Sequence, residues 1–323
     1  MNAEVIQPPQ LTNKRLLLLG VSSVVLCISF IMAIFAPFPL AMASILYGRT
    51  KGFLIGILGL VLTLSFALLM YRDVTLMGFY FMVLILGLGI GEIANRGISP
   101  VKGIVILGFG FMTLTGALMF TYLKSQNVTL EQYIVRELKS SSDKLAEQKE
   151  IIAKSTDKNS IELLQLLDRP DLLAKQMITA LPMYFFVGVF IMLWFNTFLA
   201  LKSRRLLLSG QDHTFSEKNL LNFKVPFTVI YPLIAGLAMA VFGEPYGLET
   251  WGLIVVQCLG VFYFFQGFGI FSDLLNFLGI KGFFRTLLVM VTIFMANYLI
   301  AVAGLFDNWF DFRKYFVKRK TED

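Results

Sequence analysis

Long apolar runs recur along the whole of this chain, and they constrain its fold more than any other feature. A helical run of about 20 apolar residues matches the roughly 30 Å hydrocarbon core of a bilayer. In lipid, such a helix satisfies all of its own backbone hydrogen bonds. The sequence therefore predicts an all-α fold, a polytopic transmembrane helical bundle of about eight or nine membrane segments. The predicted segments are residues 16–36, 40–47, 53–71, 76–94, 103–122, 177–201, 226–242, 251–281 and 283–305.

The composition agrees with a membrane protein and argues against several other classes. Hydrophobic residues make up 57% of the chain and charged residues 15%, against about 25% charged residues in soluble domains. The formal charge of +7 comes from basic residues between the apolar runs, so lipid headgroups and membrane orientation explain it without nucleic acid. Cys27 and Cys258 stand alone, and His213 is the single histidine. We therefore expect no disulfide, no metal site and no cofactor.

The second apolar segment, residues 40–47, is too short to cross a bilayer. Such a segment needs cover from neighbouring helices, because its ends would otherwise leave polar backbone groups in lipid. Glycines at four-residue spacing follow it, Gly52 with Gly56 and Gly87 with Gly91. Pairs of small residues at this spacing let membrane helices approach closely. We interpret these four glycines as packing positions rather than as ligand positions.

Residues 123–176 differ from the rest of the chain, because nine Lys/Arg balance nine Asp/Glu there and apolar residues recur at helical spacing. Thr129 and Gln132 have the spacing of a capping box, and Asn159 with Glu162 repeats that start signal. The pattern predicts an external helical hairpin. Its partner could be another copy of the chain, an envelope protein or the top of its own bundle.

The segment 251–281 carries polar groups where lipid tolerates few. Two glycines in its middle, Gly267 and Gly269, weaken the helix and predict a break at residues 266–269. The polar side chains either bond to one another between helices or form a ligand or ion site. The candidate cavity or helix-contact residues are Gln257, Gln266, Gly267, Gly269, Asp273, Asn276, Glu92, Asn196 and Asn297. For Glu92, an interfacial pair with Arg96 is the alternative to a carboxylate facing a cavity.

Two topologies follow from the distribution of basic residues. If every segment crosses a bacterial cytoplasmic membrane and the N-terminus is cytoplasmic, residues 123–176 and the basic C-terminal tail are both external. If 251–281 instead turns back at residues 266–269 as a re-entrant pair of half-helices, the tail returns to the cytoplasm. The predicted domains are residues 1–122 (N-terminal membrane helices), 123–176 (external hairpin), 177–201 (a membrane helix completing the first bundle), 202–225 (basic cytoplasmic linker), 226–305 (C-terminal membrane helices) and 306–323 (basic juxtamembrane tail).

At the sequences FYFFQGFGIFSDLL and GLFDNWFDFRK the chain resembles the YybS-like family of bacterial integral membrane proteins. The second sequence carries a D-x-W-x-D-F-R ending, here Asp307, Trp309, Asp311, Phe312 and Arg313. Where that family favours an aliphatic residue after the first glycine, this chain has Phe268. The segment order up to Leu201 is also similar to the substrate-binding subunits of energy-coupling-factor vitamin transporters and, more loosely, to the rod-shape protein MreD. These similarities concern the fold, which does not fix the function.

The motifs of common enzymes are missing from the sequence. It has no phosphate-binding G-x-x-x-x-G-K-[ST] loop, so ATP hydrolysis would require a partner protein, and it has neither G-x-S-x-G nor H-E-x-x-H. We therefore expect a non-enzymatic, transporter-like or solute-binding membrane component. The alternative is an envelope-organising scaffold that recruits proteins through its hairpin and tail. The partners these readings imply are the bilayer, a separate ATPase or transporter subunit, envelope proteins and a second copy of the chain.

Overall fold

A computed structural model of the protein describes residues 12–29, 31–70, 74–144, 170–208 and 215–316. Every regular element in these residues is a helix. The α-helices are α1 (Asn13–Ile28), α2 (Pro37–Tyr47), α3 (Arg49–Met70), α4 (Thr75–Asn95), α5 (Pro100–Ser125), α6 (Leu130–Lys144), α7 (Pro170–Leu207), α8 (Glu217–Leu221), α9 (Ile230–Phe242), α10 (Glu249–Phe277), α11 (Gly282–Met295) and α12 (Asn297–Phe310). Short 3₁₀ helices lie at Ala33–Phe35, Phe227–Val229, Glu244–Tyr246 and Phe312–Phe316.

Five of the described helices are long and apolar enough to cross a membrane, namely α3, α4, α5, α7 and α10. The pair α11 and α12 would make a sixth span if the two helices cross together. The predicted segments 16–36, 40–47 and 226–242 form shorter helices, because α1 has 16 residues, α2 has 11 and α9 has 13. The chain is thus a multi-pass membrane protein with five or six candidate spans among the described residues.

The chain divides into two compact units. The first contains Met1–Phe111, Gly188–Tyr231 and Leu259–Asp323, and the second contains Met112–Val187 and Pro232–Cys258.

In the first unit, α2 is buried and packs against α1, α3 and α4. Glycines make this packing possible. A Cβ added at Gly52 would lie 2.8 Å from Ser44 Cα, and one at Gly91 would lie 2.6 Å from Ser44 Cβ. A Cβ at Gly87 would lie 2.8 Å from the carbonyl oxygen of Pro37. The predicted role of these glycines in close packing is confirmed, and α2 lies in a slot that larger residues would close.

The backbone between α1 and α2 is irregular, so its polar groups need partners from elsewhere in the bundle. Ser23 Oγ donates a hydrogen bond of 2.8 Å to the carbonyl oxygen of Ala36. Asn196 Nδ2, from α7, donates one of 2.7 Å to the carbonyl oxygen of Ile34. Both polar side chains are 0% exposed. Asn196 therefore supplies a hydrogen-bond donor to the irregular backbone between α1 and α2.

The predicted break at residues 266–269 is wrong, because α10 continues without interruption over Glu249–Phe277. A glycine inside a helix costs about 1 kcal/mol relative to alanine, which close packing against another helix can offset. The break lies instead in the last apolar segment. Ala296 has φ −129° and ψ 27°, and the helices on its two sides, Gly282–Ile293 and Asn297–Phe310, differ in direction by 91°. The predicted last segment, 283–305, therefore forms two helices, which make one broken span if they cross together.

The second unit contains α6 and most of α9. Thr129 N donates to Gln132 Oε1 at 2.9 Å, and Gln132 N donates to Thr129 Oγ1 at 3.2 Å. The predicted capping box is therefore confirmed. The predicted second helix of the hairpin, near Asn159, lies outside the described residues. The α9 helix packs closely on the start of α10, where a Cβ at Gly252 would overlap the backbone nitrogen of Ala240.

Candidate functional site

Gln266 lies at the centre of a buried polar cluster in the first unit. Its side chain is 0% exposed. Its Oε1 accepts a hydrogen bond of 2.8 Å from the backbone N–H of Val225, and its Nε2 donates to Asp307 Oδ2 at 3.0 Å and to Asn308 Oδ1 at 3.3 Å. The amide thus joins α10 to α12 and to the linker that precedes α9. We call Gln266, Asp307, Asn308 and the N–H of Val225 the Gln266 cluster.

Asp307 is 1% exposed and completes this cluster near the end of α12. Its Oδ1 accepts a hydrogen bond of 2.8 Å from the backbone N–H of Phe312, and its Oδ2 accepts the one from Gln266. Hydrogen bonds to a carboxylate are stronger than those between neutral groups. The carboxylate therefore fixes the turn that follows α12 onto α10.

Glycines bring the backbones of α10 and α12 into contact beside this cluster. A Cβ at Gly267 would overlap the carbonyl oxygen of Ile300, and one at Gly304 would overlap the carbonyl oxygen of Tyr263. A Cβ at Gly269 would overlap the carbonyl oxygen of Leu221 and would lie 2.6 Å from Arg313 Nη2. The two glycines that were predicted to break α10 are thus its closest contacts with α12 and the linker.

The residues after α12 bind the linker and α10 through charged groups. Arg313 Nη2 donates to the carbonyl oxygen of Leu221 at 2.7 Å, Nη1 donates to Asn222 Oδ1 at 3.2 Å, and Nε lies 3.7 Å from Asp273 Oδ2.

Asp311 Oδ1 lies 2.9 Å from Lys224 Nζ, and Oδ2 lies 3.0 Å from Lys314 Nζ. The hydrogen bond from Lys224, followed by that from Lys314, lowers the pKa of Asp311. The same contact with Asp311 raises the pKa of Lys314.

Asn276 lies beyond Asp273 at the end of α10 and contacts the next helix. Its Oδ1 accepts a hydrogen bond from Arg285 Nη1, and Arg285 Nη2 donates to Ser272 Oγ at 2.8 Å. The predicted polar residues Gln266, Asp273 and Asn276 therefore have three separate sets of partners. These are the Gln266 cluster, Arg313 and Arg285.

Most residues of this site lie in a region that matches a protein family. The family model described as "Predicted membrane protein (DUF2232)" matches residues 16–308. The chain belongs to this family. No curated protein and no solved structure matches the chain. The region that matches DUF2232 includes Gln266 and Asp307 and ends before Arg313.

In this DUF2232 protein, Glu92 lies in a separate place from the Gln266 cluster. Its Oε2 lies 2.7 Å from Arg49 Nε, and its Oε1 accepts a hydrogen bond from Arg96 Nε. The predicted pair with Arg96 is present, and Arg49 joins it. The carboxylate is shared by two half-exposed guanidinium groups, an arrangement typical of an interfacial ion pair.

Two further predicted residues are exposed rather than clustered. Gln257 is exposed in the part of α10 that belongs to the second unit. Asn297 is exposed at the start of α12, where its Oδ1 accepts a hydrogen bond of 2.7 Å from the N–H of Tyr298. Trp309 is 52% exposed, and its ring packs edge-on against Phe227 with centroids 6.1 Å apart.

The sequence analysis missed the linker residues of the site. Lys224, Val225 and Leu221 supply a cation, a backbone donor and a backbone acceptor. A basic linker between apolar segments predicts only that the linker lies at a membrane surface. A sequence pattern does not show which backbone N–H and C=O groups bind a distant side chain. Gly304 was missed too, although it is a lone glycine in the last apolar segment.

The site has the chemistry of a structural contact between helices. Both polar atoms of Gln266 and both oxygens of Asp307 have protein partners. Among the described residues, no group of three or more His, Cys, Asp or Glu side chains could hold a metal ion. One cavity of the first unit has a wholly apolar lining that includes Trp194, Leu220 and Phe265, and none of the predicted polar residues lines it.

Proposed function

We propose that the protein is a non-enzymatic, transporter-like or solute-binding membrane component without ATPase activity of its own. The supporting observation is its interrupted apolar helices. The segment Ala33–Tyr47 is shorter than a span, and the helices on the two sides of Ala296 meet at 91°. Membrane transporters commonly build their solute sites from short or broken helices.

The solute site of this proposal does not use the Gln266 cluster, because the hydrogen-bonding groups of Gln266 and Asp307 bind the protein itself. Gln257 and Asn297 are better candidates, since both are exposed on apolar helices. A polar side chain that faces lipid is costly, and a bound solute would relieve that cost. Each residue is a candidate by itself.

The energy source of this proposal is a separate chain. The sequence lacks a phosphate-binding loop, and Lys202 and Lys218 are exposed on or near the linker between α7 and α9. These basic side chains would bind an acidic surface of an ATPase subunit at the membrane face.

Native mass spectrometry of the purified protein tests this function. We expect a small polar molecule to remain bound, and its mass to be lost in Gln257→Leu or in Asn297→Leu. Ser65→Leu is the matched control, because the Ser65 hydroxyl is also exposed but donates to the carbonyl oxygen of Val61. A protein that retains no small molecule under conditions that preserve its fold would contradict the proposal.

An envelope-organising scaffold is the second candidate, and α6 is the observation that favours it. Glu131, Arg136 and Glu137 are exposed on this helix, which has its own capping box and is too polar to be a span. Deletion of residues 130–144 would then remove a co-purifying protein in the same mass spectra, while small molecules would be absent.

A further inference from the structure

The last apolar segment, residues 282–310, begins and ends beside the same turn of α10. Near its beginning, Arg285 Nη2 donates a hydrogen bond of 2.8 Å to Ser272 Oγ. Just after its end, Arg313 Nε lies 3.7 Å from Asp273 Oδ2. Ser272 and Asp273 are neighbours in the chain. The entry and the exit of the segment are therefore at one level of a spanning helix.

A segment with both ends at one level of a spanning helix cannot cross the bilayer. The lengths of its two helices agree with this. Each of α11 and α12 has 14 residues, or about 21 Å, which is less than the hydrocarbon thickness of about 30 Å. The bend of 91° between them also excludes one straight crossing.

Most side chains around the bend are apolar and largely uncovered by protein, and the exposed Asn297 is a polar exception. Met290 is 53% exposed on α11, Met295 is 84% exposed at the bend, and Leu299 is 70% exposed on α12. Large apolar side chains exposed together on one segment are typical of a surface that binds a membrane or another protein. Polar and charged groups mark the two ends instead, with Lys281 and Arg285 before the bend and Arg313 and Lys314 after α12.

We propose that residues 282–310 form a re-entrant element embedded in one leaflet of the bilayer, with acyl chains as its partner. The C-terminal tail then lies on the same side of the membrane as the linker before α9. The contacts of that tail support this placement, since Asp311 lies 2.9 Å from Lys224 and Arg313 donates to the carbonyl oxygen of Leu221 at 2.7 Å. Arg313 and Lys314 then share this side with Lys281 and Arg285, as charge-based orientation favours.

Site-directed labelling tests the sidedness of the tail. In full-length protein carrying Cys27→Ala and Cys258→Ala, single variants Tyr315→Cys, Lys218→Cys and Tyr246→Cys report the tail, the linker and the loop before α10. All three positions are exposed. With a membrane-impermeant maleimide added to one side at a time, we expect Tyr315→Cys to label from the side that labels Lys218→Cys. Labelling of Tyr315→Cys from the side opposite to the one that labels Lys218→Cys would overturn the proposal.

A depth measurement tests the embedding separately. A nitroxide attached at Met295→Cys in lipid bilayers should be relaxed by oxygen, which dissolves in hydrocarbon, and should be shielded from a water-soluble nickel complex. A nitroxide at Tyr315→Cys should show the reverse. A Met295 label that the nickel complex reaches as readily as it reaches the Tyr315 label would also overturn the proposal.

Discussion

The side chains of Gln266 and Asp307 form a hydrogen bond of 3.0 Å across 41 residues of chain. This bond connects α10 to the end of α12, and both residues lie in the region that matches DUF2232. Both residues are almost fully buried, so the bond forms away from water. Around it lie the glycine contacts of α10 with α12 and the charged contacts of the tail. The bond is thus the centre of the contact that holds α12 and the residues after it against α10.

Removal of the Gln266 amide should destabilise the fold strongly. Gln266→Met leaves the N–H of Val225 and the carboxylate of Asp307 without this partner. Each buried polar group left unsatisfied costs about 1–3 kcal/mol. We expect a clear fall in the thermal unfolding midpoint of the detergent-purified protein. Gln257→Met, at an exposed position of the same helix, should change the stability by no more than about 0.5 kcal/mol.

A double-mutant cycle separates this bond from general damage. Gln266→Met, Asp307→Ala and the combined variant should be non-additive by about 0.5–3 kcal/mol, because the two side chains share one hydrogen bond. Additive effects would show that Gln266 and Asp307 stabilise the fold independently.

The contact of α10 with α12 should tolerate no side chain at its glycines. Gly267→Ala places a Cβ on the carbonyl oxygen of Ile300, and Gly304→Ala places one on that of Tyr263. Overpacking costs typically about 1–3 kcal/mol, and a backbone atom cannot rotate away as a side chain can. We expect both variants to unfold at a lower temperature or to accumulate poorly in the membrane.

Gly260→Ala is the matched control for Gly267→Ala. Gly260 lies in the same helix, and a Cβ there meets nothing within 4 Å. Alanine favours a helix over glycine by about 1 kcal/mol, so this variant should be at least as stable as the parent. Equal damage from Gly260→Ala and Gly267→Ala would mean that helix propensity, and not the contact with α12, decides the effect.

Local signals in the sequence gave correct local structure. The spacing of Thr129 and Gln132 predicted a capping box, and the glycine pairs around Gly52 and Gly91 predicted close packing. These predictions succeed because each depends on neighbours in the sequence or on residue size. The number of spans was harder to predict, because apolar runs such as 16–36 contain helices too short to cross.

The helix breaks were misassigned because tertiary contacts decide them. Gly267 and Gly269 weaken an isolated helix, but in the fold they admit the backbones of α12 and the linker, and α10 stays whole. Neither glycine nor proline lies at the bend at Ala296, so the sequence does not indicate it. The pairing of Gln266 with Asp307 depends on how α10 and α12 pack, and sequence reasoning supplied both residues without their contact.

The tail contacts should weaken in acid. The bonds from Lys224 and Lys314 lower the pKa of Asp311 below its ordinary value of 3.8. Because the unfolded chain then binds a proton more readily, Asp311 stabilises the native state above its ordinary pKa and loses this effect as the pH falls through the lower, folded value. We expect the difference in unfolding midpoint between the parent and Asp311→Asn to be present at neutral pH and to vanish in strong acid. A difference that persists unchanged there would show that the charge of Asp311 is not its cause.

Asn196 should matter for the interrupted backbone between α1 and α2 rather than for solute binding. Its Nδ2 donates to the carbonyl oxygens of Ile34 and Met192, both at 2.7 Å. Asn196→Leu leaves the Ile34 carbonyl, which lies outside any α-helix, without this donor, at a cost of about 1–3 kcal/mol. The Met192 carbonyl belongs to α7, where the helix can satisfy it. Thermal unfolding of Asn196→Leu should therefore show destabilisation, whereas Ser65→Ala, which removes an exposed hydroxyl bonded only within α3, should be nearly neutral.

If Asn196→Leu instead kept the parental unfolding midpoint but lost a bound small molecule in native mass spectra, Asn196 would be a solute ligand and the backbone role would be wrong.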